Sequence, residues 1–180
     1  MKNIVEIIER EVIGRCKNYQ EKTGEDEWSH IELVAYYALE LAERYGADKE
    51  ITALGALLHD ISGPSEYGAR EEHHIRGAEI AGQLLSGLDY PQDKIERVKN
   101  CVLNHRGSVP KDKNTLEEEC VADADALAHF DRYPGLFLPE GIEGKFERDY
   151  NKLSEKTRGL IKDRYDIMMS ILFSGKSFLK

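Results

Sequence analysis

The chain has 180 residues, the size of one domain, and its 25 Lys and Arg against 34 Asp and Glu give a net charge of −9. This acidic balance argues against a protein that neutralises the phosphates of duplex DNA or sits on an anionic membrane surface. A hydrophobic content of 41% with 33% charged residues is typical of a folded soluble domain and excludes a largely disordered chain.

Helical spacing of apolar residues predominates along the chain, and the alternation typical of β-strands is scarce. We therefore predict an all-α fold, a single domain of about seven helices over residues 1–180. Thr115 and Glu118 have the spacing of a capping box, and Gly46 and Pro91 suit a helix end and a helix start. The predicted helices cover about residues 3–21, 26–46, 48–60, 71–87, 91–105, 115–130 and 146–173.

Two segments are predicted as loops. Residues 61–70 contain two Gly and one Pro, which block helix continuation, and the part from Ser62 to Arg70 is a candidate cover for a site. Residues 133–144 are also loop-like, although Leu136 to Leu138 are expected to pack against the domain.

The sequence predicts a cytoplasmic protein without disulfides. The longest apolar runs, such as residues 53–58, are far too short to span a membrane, and the N-terminus carries acidic residues where a signal peptide needs an apolar centre. The three cysteines, Cys16, Cys101 and Cys120, are odd in number and widely separated, so neither a disulfide framework nor a thiolate zinc site is indicated.

Histidines and aspartates recur on the apolar faces of the predicted helices. His30 shares a face with Val34, His105 follows Val102 by three residues, and Asp125 follows Val121 by four. One inward histidine is more often a core residue than a ligand. His59 and Asp60, however, follow the most apolar segment of the chain, where an ionised Asp is costly unless it is paired or bound to a metal.

Several inward imidazoles and carboxylates from different helices need a compensating centre, and a divalent metal supplies one because neutral His and Asp are ligands of first-row metals. The order of these residues resembles the HD superfamily of metal-dependent phosphohydrolases over about residues 28–131. Residues 132–180 are then expected to complete the same domain. The resemblance is carried by His30, His59-Asp60 in LLHDIS, His73 or His74 in HHIRGAEIA, His105, and Asp125 in VADADAL.

The resemblance implies a ligand set. His30, His59, Asp60 and Asp125 would hold one metal, and His73 and His105 would complete a second site that shares Asp60. The family spacing from His to Gly selects His73, with His74 as an alternative that faces substrate. In the Asp-Ala-Asp motif the second carboxylate is the usual ligand, which selects Asp125 and leaves Asp123 as a supporting or exposed residue.

The chemistry implied by the resemblance is hydrolysis of a phosphate ester or anhydride in a nucleotide or other small phosphorylated metabolite. A bound divalent ion lowers the pKa of its water from 15.7 towards ~7, and Asp60 is the predicted catalytic residue because it would hold the metal and the nucleophile in place. The expected cofactor is one or two ions of Fe, Mn, Co, Ni or Zn, with Mg as a further candidate. The candidate substrate-binding residues are Arg106, His74, His129 and Arg76, and the alternative role for His129 is to support and orient a metal ligand.

The chain departs from two branches of the superfamily after the His-Asp pair. Gly63 and Pro64 occupy positions where related nucleotidases carry a Glu and HDIG proteins a Lys. Two other functions are compatible with the same residues. One is an HD-type di-iron oxygenase that acts on a small polar substrate, and the other is a non-catalytic, metal-stabilised module that binds a nucleotide or a protein. The sequence leaves a homodimer open.

Overall fold

The computed structural model describes residues 3–66, 72–106, 113–132 and 142–175, and within these ranges it contains nine α-helices and no β-strand. The all-α prediction is therefore confirmed. Part of the predicted covering loop and Leu136 to Leu138 lie outside the described residues. The helices are α1 Ile4–Thr23, α2 Trp28–Tyr45, α3 Lys49–Leu58, α4 Ser62–Glu66, α5 His73–Ser86, α6 Gln92–Asn104, α7 Leu116–Arg132, α8 Ile142–Lys152 and α9 Glu155–Gly175.

Helix α3 forms the centre of the fold. Every residue from Ile51 to Leu58 is buried, and α3 packs against α1, α2, α6 and α7. Its approach to α6 is close at Gly55, where an added Cβ would lie 2.6 Å from the Cβ of Cys101. Asp48 begins the helix by accepting hydrogen bonds from the N–H groups of Glu50 and Ile51. The core thus places His59 and Asp60 at the end of a helix that is buried from Ile51 onwards.

The predicted loop after Asp60 is wrong in its first half, because Ser62–Glu66 forms the short helix α4. Pro64 is the third residue of this helix, within the first turn, where its missing N–H has no intrahelical partner to lose. The turn before it is closed by a hydrogen bond from the Gly63 N–H to the Asp60 carbonyl, 3.0 Å.

The prediction of one continuous last helix is also wrong, since Ser154 separates α8 from α9. The backbone N–H and Oγ of Ser154 donate to the two carboxylate oxygens of Asp123, at 2.8 and 2.5 Å. Its Oγ also accepts from the Thr157 N–H, 3.3 Å, as an N-cap does. Asp123 is 2% exposed, so it is a buried anchor for α9 rather than an exposed residue of α7.

Two further expectations concern cysteines and the membrane. Cys16, Cys101 and Cys120 are free thiols, and all three are buried. Among the helices that the structure describes, none combines the length and apolar content needed to cross a membrane.

Candidate metal centre

His59 lies directly after α3, where its ring is fixed by its own helix. The last carbonyls of a helix have no intrahelical partner, and the Nδ1–H of His59 donates to one of them, Ala56 O, at 2.7 Å. In the neutral imidazole, which is the form that binds a metal, this bond places the proton on Nδ1 and leaves the lone pair on Nε2. His59 is completely buried, and its Nε2 lies 3.3 Å from the Nε2 of His30 on α2.

His105 repeats this arrangement at the end of α6. Its Nδ1–H donates to the carbonyl of Val102, three residues earlier, at 2.6 Å. Its Nε2 lies 3.0 Å from the Nε2 of His73, the first residue of α5. The fold therefore presents two pairs of imidazole nitrogens, each contributed by two different helices or helix ends.

Asp60 lies between the two pairs and directs one carboxylate oxygen to each. Its Oδ2 is 3.4 Å from His59 Nε2 and 3.9 Å from His30 Nε2. Its Oδ1 is 3.3 Å from His73 Nε2 and 3.6 Å from His105 Nε2. A carboxylate that is shared by two cations likewise directs one oxygen to each of them.

Asp125 on α7 adds a second carboxylate to the pair formed by His30 and His59. Its Oδ1 lies 3.2 Å from His30 Nε2. The stretch between His30 and Asp125 is long in sequence, but α2 and α7 pack side by side and bring the two residues together. All six residues predicted as ligands thus converge on one region of the fold.

The donor geometry fits divalent metals. Ligand bonds of 2.0–2.2 Å place neighbouring donors about 3.0 Å apart in an octahedron and about 3.4 Å apart in a tetrahedron. The two Nε2 pairs have these separations, and lone pairs held so close repel unless a proton or cation lies between them. The donor atoms of His30, His59 and Asp60, and those of Asp60, His73 and His105, all lie within 4.8 Å of one another.

The electrostatics of the cluster favour charged side chains. Burial lowers the pKa of His59, but Asp60 and Asp125 outweigh it and raise the pKa to about 9. Burial raises the pKa of Asp60, but His59 and His105 hold it well below its usual 3.8. The pKa of Asp125 is likewise lowered, against the effect of burial, by His30 and His129. The carboxylates are therefore ionised at neutral pH, as ligands must be.

His129 lies against this centre, one turn beyond Asp125. Its ring stacks on that of His30 with centroids 5.2 Å apart, and its Nε2 is 3.8 Å from Asp125 Oδ1. Donor atoms of His30, Asp125 and His129 form a third group within 4.8 Å, so His129 has the position of a ligand as well as that of a substrate donor. The sequence predicts only a substrate-binding role or a supporting role for His129.

The other candidate substrate residues are neighbours of His73 or His105 along the chain. Arg106 follows His105 directly and is partly exposed, and Arg76 is partly exposed one turn after His73. His74 is buried, with its ring edge-to-face on that of His73 at 5.6 Å. Of the two adjacent histidines, His73 is the one whose Nε2 lies against Asp60 and His105.

Two charged residues near His129 escaped the sequence reasoning. Burial lowers the pKa of His129 and Asp125 acts against it, while Asp149 on α8 also raises this pKa and Lys152 lowers it. Lys152 Nζ is 2.9 Å from Asp149 Oδ1, and this carboxylate is buried. Both lie beyond the motif-bearing region, and no spacing signal in the sequence links them to the histidines.

Comparison with known proteins identifies relatives that match part of this chain. Ribonuclease Y from Clostridium kluyveri is 31% identical over 65% of this chain, and the match spans only 21% of its own length. Other top-ranking curated relatives are likewise matched over less than half of their length. The Bacillus subtilis protein "Putative phosphohydrolase YueE" is 30% identical over 67% of this chain and 72% of its own.

Solved structures share the fold along nearly the whole chain. A predicted HD superfamily hydrolase from an uncultured Thermotogales bacterium aligns with a TM-score of 0.66 at 24% identity, over 97% of this chain and 92% of its own. Bacillus subtilis YpgQ in complex with ADP aligns with a TM-score of 0.65 at 19% identity, over 97% of both chains. At these identities the likeness concerns the fold.

The family model for the HD domain matches residues 28–129 of this chain. This range includes the six convergent histidines and aspartates and amounts to more than half of the chain. The chain therefore belongs to the HD domain family.

Proposed function

We propose that the chain is a metal-dependent phosphohydrolase that acts on a nucleotide or another small phosphorylated metabolite. The observation that supports it best is the division of the Asp60 oxygens between the pair His30 and His59 and the pair His73 and His105. In this proposal His30, His59, Asp60 and Asp125 hold one divalent ion, and Asp60, His73 and His105 hold a second.

The bound ions would supply Lewis acidity to a phosphoryl oxygen and a lowered pKa to the attacking water. The residues themselves determine where a substrate approaches. His30, His59 and His105 are almost fully buried, whereas the side chains of Asp60, His73 and His129 are 28, 22 and 33% exposed. The open side of the centre is therefore the side of these three residues, and Asp60 lies where the reacting phosphorus would come closest to both pairs.

A phosphate on this side needs hydrogen-bond donors outside the metal centre. His129 has its Nε2 directed towards the centre, beside Asp125. Arg106 continues the chain from His105, and Arg76 lies one turn from His73. We assign these residues, together with His74, to binding the substrate and holding its phosphate next to Asp60. The net charge of −9 makes such local donors necessary for an anionic substrate.

The assignment to nucleotides goes further than the hydrolase assignment. It is supported by the solved complex of YpgQ with ADP, because YpgQ shares the fold of this chain over 97% of its length. The name of YueE supports phosphate chemistry in a relative that this chain covers over most of its length.

The test is phosphate release from nucleoside mono-, di- and triphosphates by the chain reconstituted with Mn²⁺ under anaerobic conditions. We expect Asp60→Asn to lower turnover by at least about 100-fold, because the contribution of the metal to transition-state stabilisation is worth several kcal/mol. The matched control is Asp163→Asn, the same change at an exposed position of α9, which should retain activity.

Two outcomes would overturn the proposal. Turnover that requires reduced iron and consumes O₂, without phosphate release, would identify an oxygenase. Nucleotide binding that is unaffected by Asp60→Asn, without turnover by the parent chain, would identify a non-catalytic module.

A further inference from the structure

The histidines of the centre lie at different kinds of helix terminus. The rings of His59 and His105 are each held by a carbonyl of the last helical turn, at 2.7 and 2.6 Å. His73 is instead the first residue of α5, and the residue before it, Glu72, makes no side-chain capping bond to this helix. A contact that holds the start of α5 therefore also helps to position His73.

Ser62 supplies such a contact. Its Oγ–H donates to the backbone carbonyl of His73 at 3.0 Å, and Ser62 is 5% exposed, so water competes little for this bond. Ser62 is also only two residues beyond Asp60, and the turn between them is closed by the bond from Gly63 N–H to Asp60 O. The bond thus links the backbone of His73 directly to the turn that carries the shared carboxylate.

The helix that carries Ser62 is itself anchored on its other side. Ser65 accepts a hydrogen bond from Arg15 Nη1 on α1 at 2.8 Å, and Arg15 Nε donates to Glu11 at 2.8 Å. Helix α4 therefore connects α1 to the start of α5. Ser65 offers a matched control, because it has the same side chain on the same short helix but contacts α1 instead of His73.

We propose that Ser62 is a positioning residue for the second metal ion. By holding the start of α5, it keeps His73 Nε2 within 3.3 Å of Asp60 Oδ1 and 3.0 Å of His105 Nε2. The first ion depends on it less, because three of its four proposed ligands, His30, His59 and Asp125, lie on α2, the end of α3 and α7. This inference rests on the two-ion centre of the proposed function, but not on its substrate or reaction.

The experiment is calorimetric titration of the chelator-treated full chain with Mn²⁺, with thermal unfolding of the metal-free protein measured in parallel. Loss of one buried hydrogen bond should weaken the second ion by about 5- to 10-fold and leave the first ion within about 2-fold. We expect this result for Ser62→Ala and also for Ser62→Cys, which nearly keeps the volume of the side chain but donates a weaker hydrogen bond. Ser65→Ala should bind both ions as the parent chain does.

Several results would overturn the inference. These are a parent chain that binds one ion only, an unchanged second affinity in both Ser62 variants, or an equal loss of both ions with a lower unfolding temperature of the metal-free protein. The last result would indicate a general structural role, as would equal effects of Ser62→Ala and Ser65→Ala. Failure of the proposed function is distinguishable, since a chain that binds two ions with the expected Ser62 effect but releases no phosphate refutes the reaction alone.

Discussion

Asp125 and Asp123 lie two residues apart on α7, and their carboxylates have different partners. Asp125 Oδ1 is 3.2 Å from His30 Nε2, within the candidate metal centre. Both oxygens of Asp123 accept hydrogen bonds from Ser154, at the break between α8 and α9. Residues at positions i and i+2 of a helix face different directions, so one short motif serves both the centre and the attachment of the last helix.

The two aspartates should therefore respond differently to the same substitution. We expect Asp125→Asn to weaken the first ion strongly, because an amide is a poorer and uncharged ligand. Asp123→Asn should leave both ions bound and lower the free energy of unfolding by about 1–2 kcal/mol, because a charged hydrogen bond is replaced by a neutral one. Titration with Mn²⁺ and urea unfolding measure the two effects, and loss of an ion in Asp123→Asn with full binding in Asp125→Asn would contradict the assignment.

The close approach of α3 to α6 and α7 predicts an unusual response to alanine at Gly55. Alanine favours a helix over glycine by about 0.5–1 kcal/mol. At Gly55, however, the new Cβ would lie 2.6 Å from Cys101 Cβ and 3.3 Å from a methyl of Val121, and overpacking of this kind costs about 1–3 kcal/mol. We expect Gly55→Ala to lower the free energy of unfolding by about 1–2 kcal/mol net.

Gly14 in α1 provides the control for this prediction. An added Cβ there meets nothing within 4 Å, so Gly14→Ala should raise the free energy of unfolding by about 0.5–1 kcal/mol. Chemical unfolding of Gly55→Ala and Gly14→Ala measures both changes in the free energy of unfolding. Equal stabilisation by the two substitutions would show that α3 has room to move away from Cys101.

The carboxylate of Asp48 should stabilise the fold to an extent that depends on pH in the acid range. Burial raises the pKa of this carboxyl, but hydrogen bonds from the start of α3 and the charge of Arg97 outweigh it and hold the pKa below 3.8. Because the folded pKa is lower than the unfolded one, the carboxylate stabilises the fold above about pH 4, and this stabilisation is lost as the pH falls through the folded pKa. We expect Asp48→Ala to cost about 1–2 kcal/mol at pH 7, mainly through loss of the N-cap.

The pH dependence is measured by urea unfolding between pH 6 and pH 3. The difference between the parent chain and Asp48→Ala should shrink over the acid end of this range. Asp48→Asn keeps a capping oxygen and should retain much of the stability without the acid dependence. A difference that stays constant down to pH 3 would contradict the account.

The local features of the fold could largely be predicted from the sequence. Asp48 and Gly46 mark a helix start and a helix end through their own backbone preferences, and Thr115 with Glu118 forms the expected bond, Glu118 N–H to Thr115 Oγ1, at 3.3 Å. The break at Ser154 could not be predicted, because it depends on Asp123, which lies 31 residues earlier. Helix α4 is also too short to show a helical period.

The candidate site could also be predicted only in part from the sequence. The inward faces of the helices and the motif order predicted which six residues converge, and their role as ligands stays a prediction. The contact of His129 with His30 and the proximity of Asp149 and Lys152 depend on how α7 and α8 pack, which spacing within one helix does not encode. The composition of residues 61–70 predicts a loop at Ser62, so the bond from Ser62 to the His73 carbonyl is visible only in the structure.

The central claim is that Asp60 is shared by two divalent ions. An anomalous difference map from a crystal of the chain grown with Mn²⁺ tests it most directly. The account predicts two peaks about 3.5–4 Å apart, one beside His30, His59 and Asp125 and one beside His73 and His105. A map with no peak within bonding distance of Asp60, or with Mn²⁺ bound only to other residues, would contradict it.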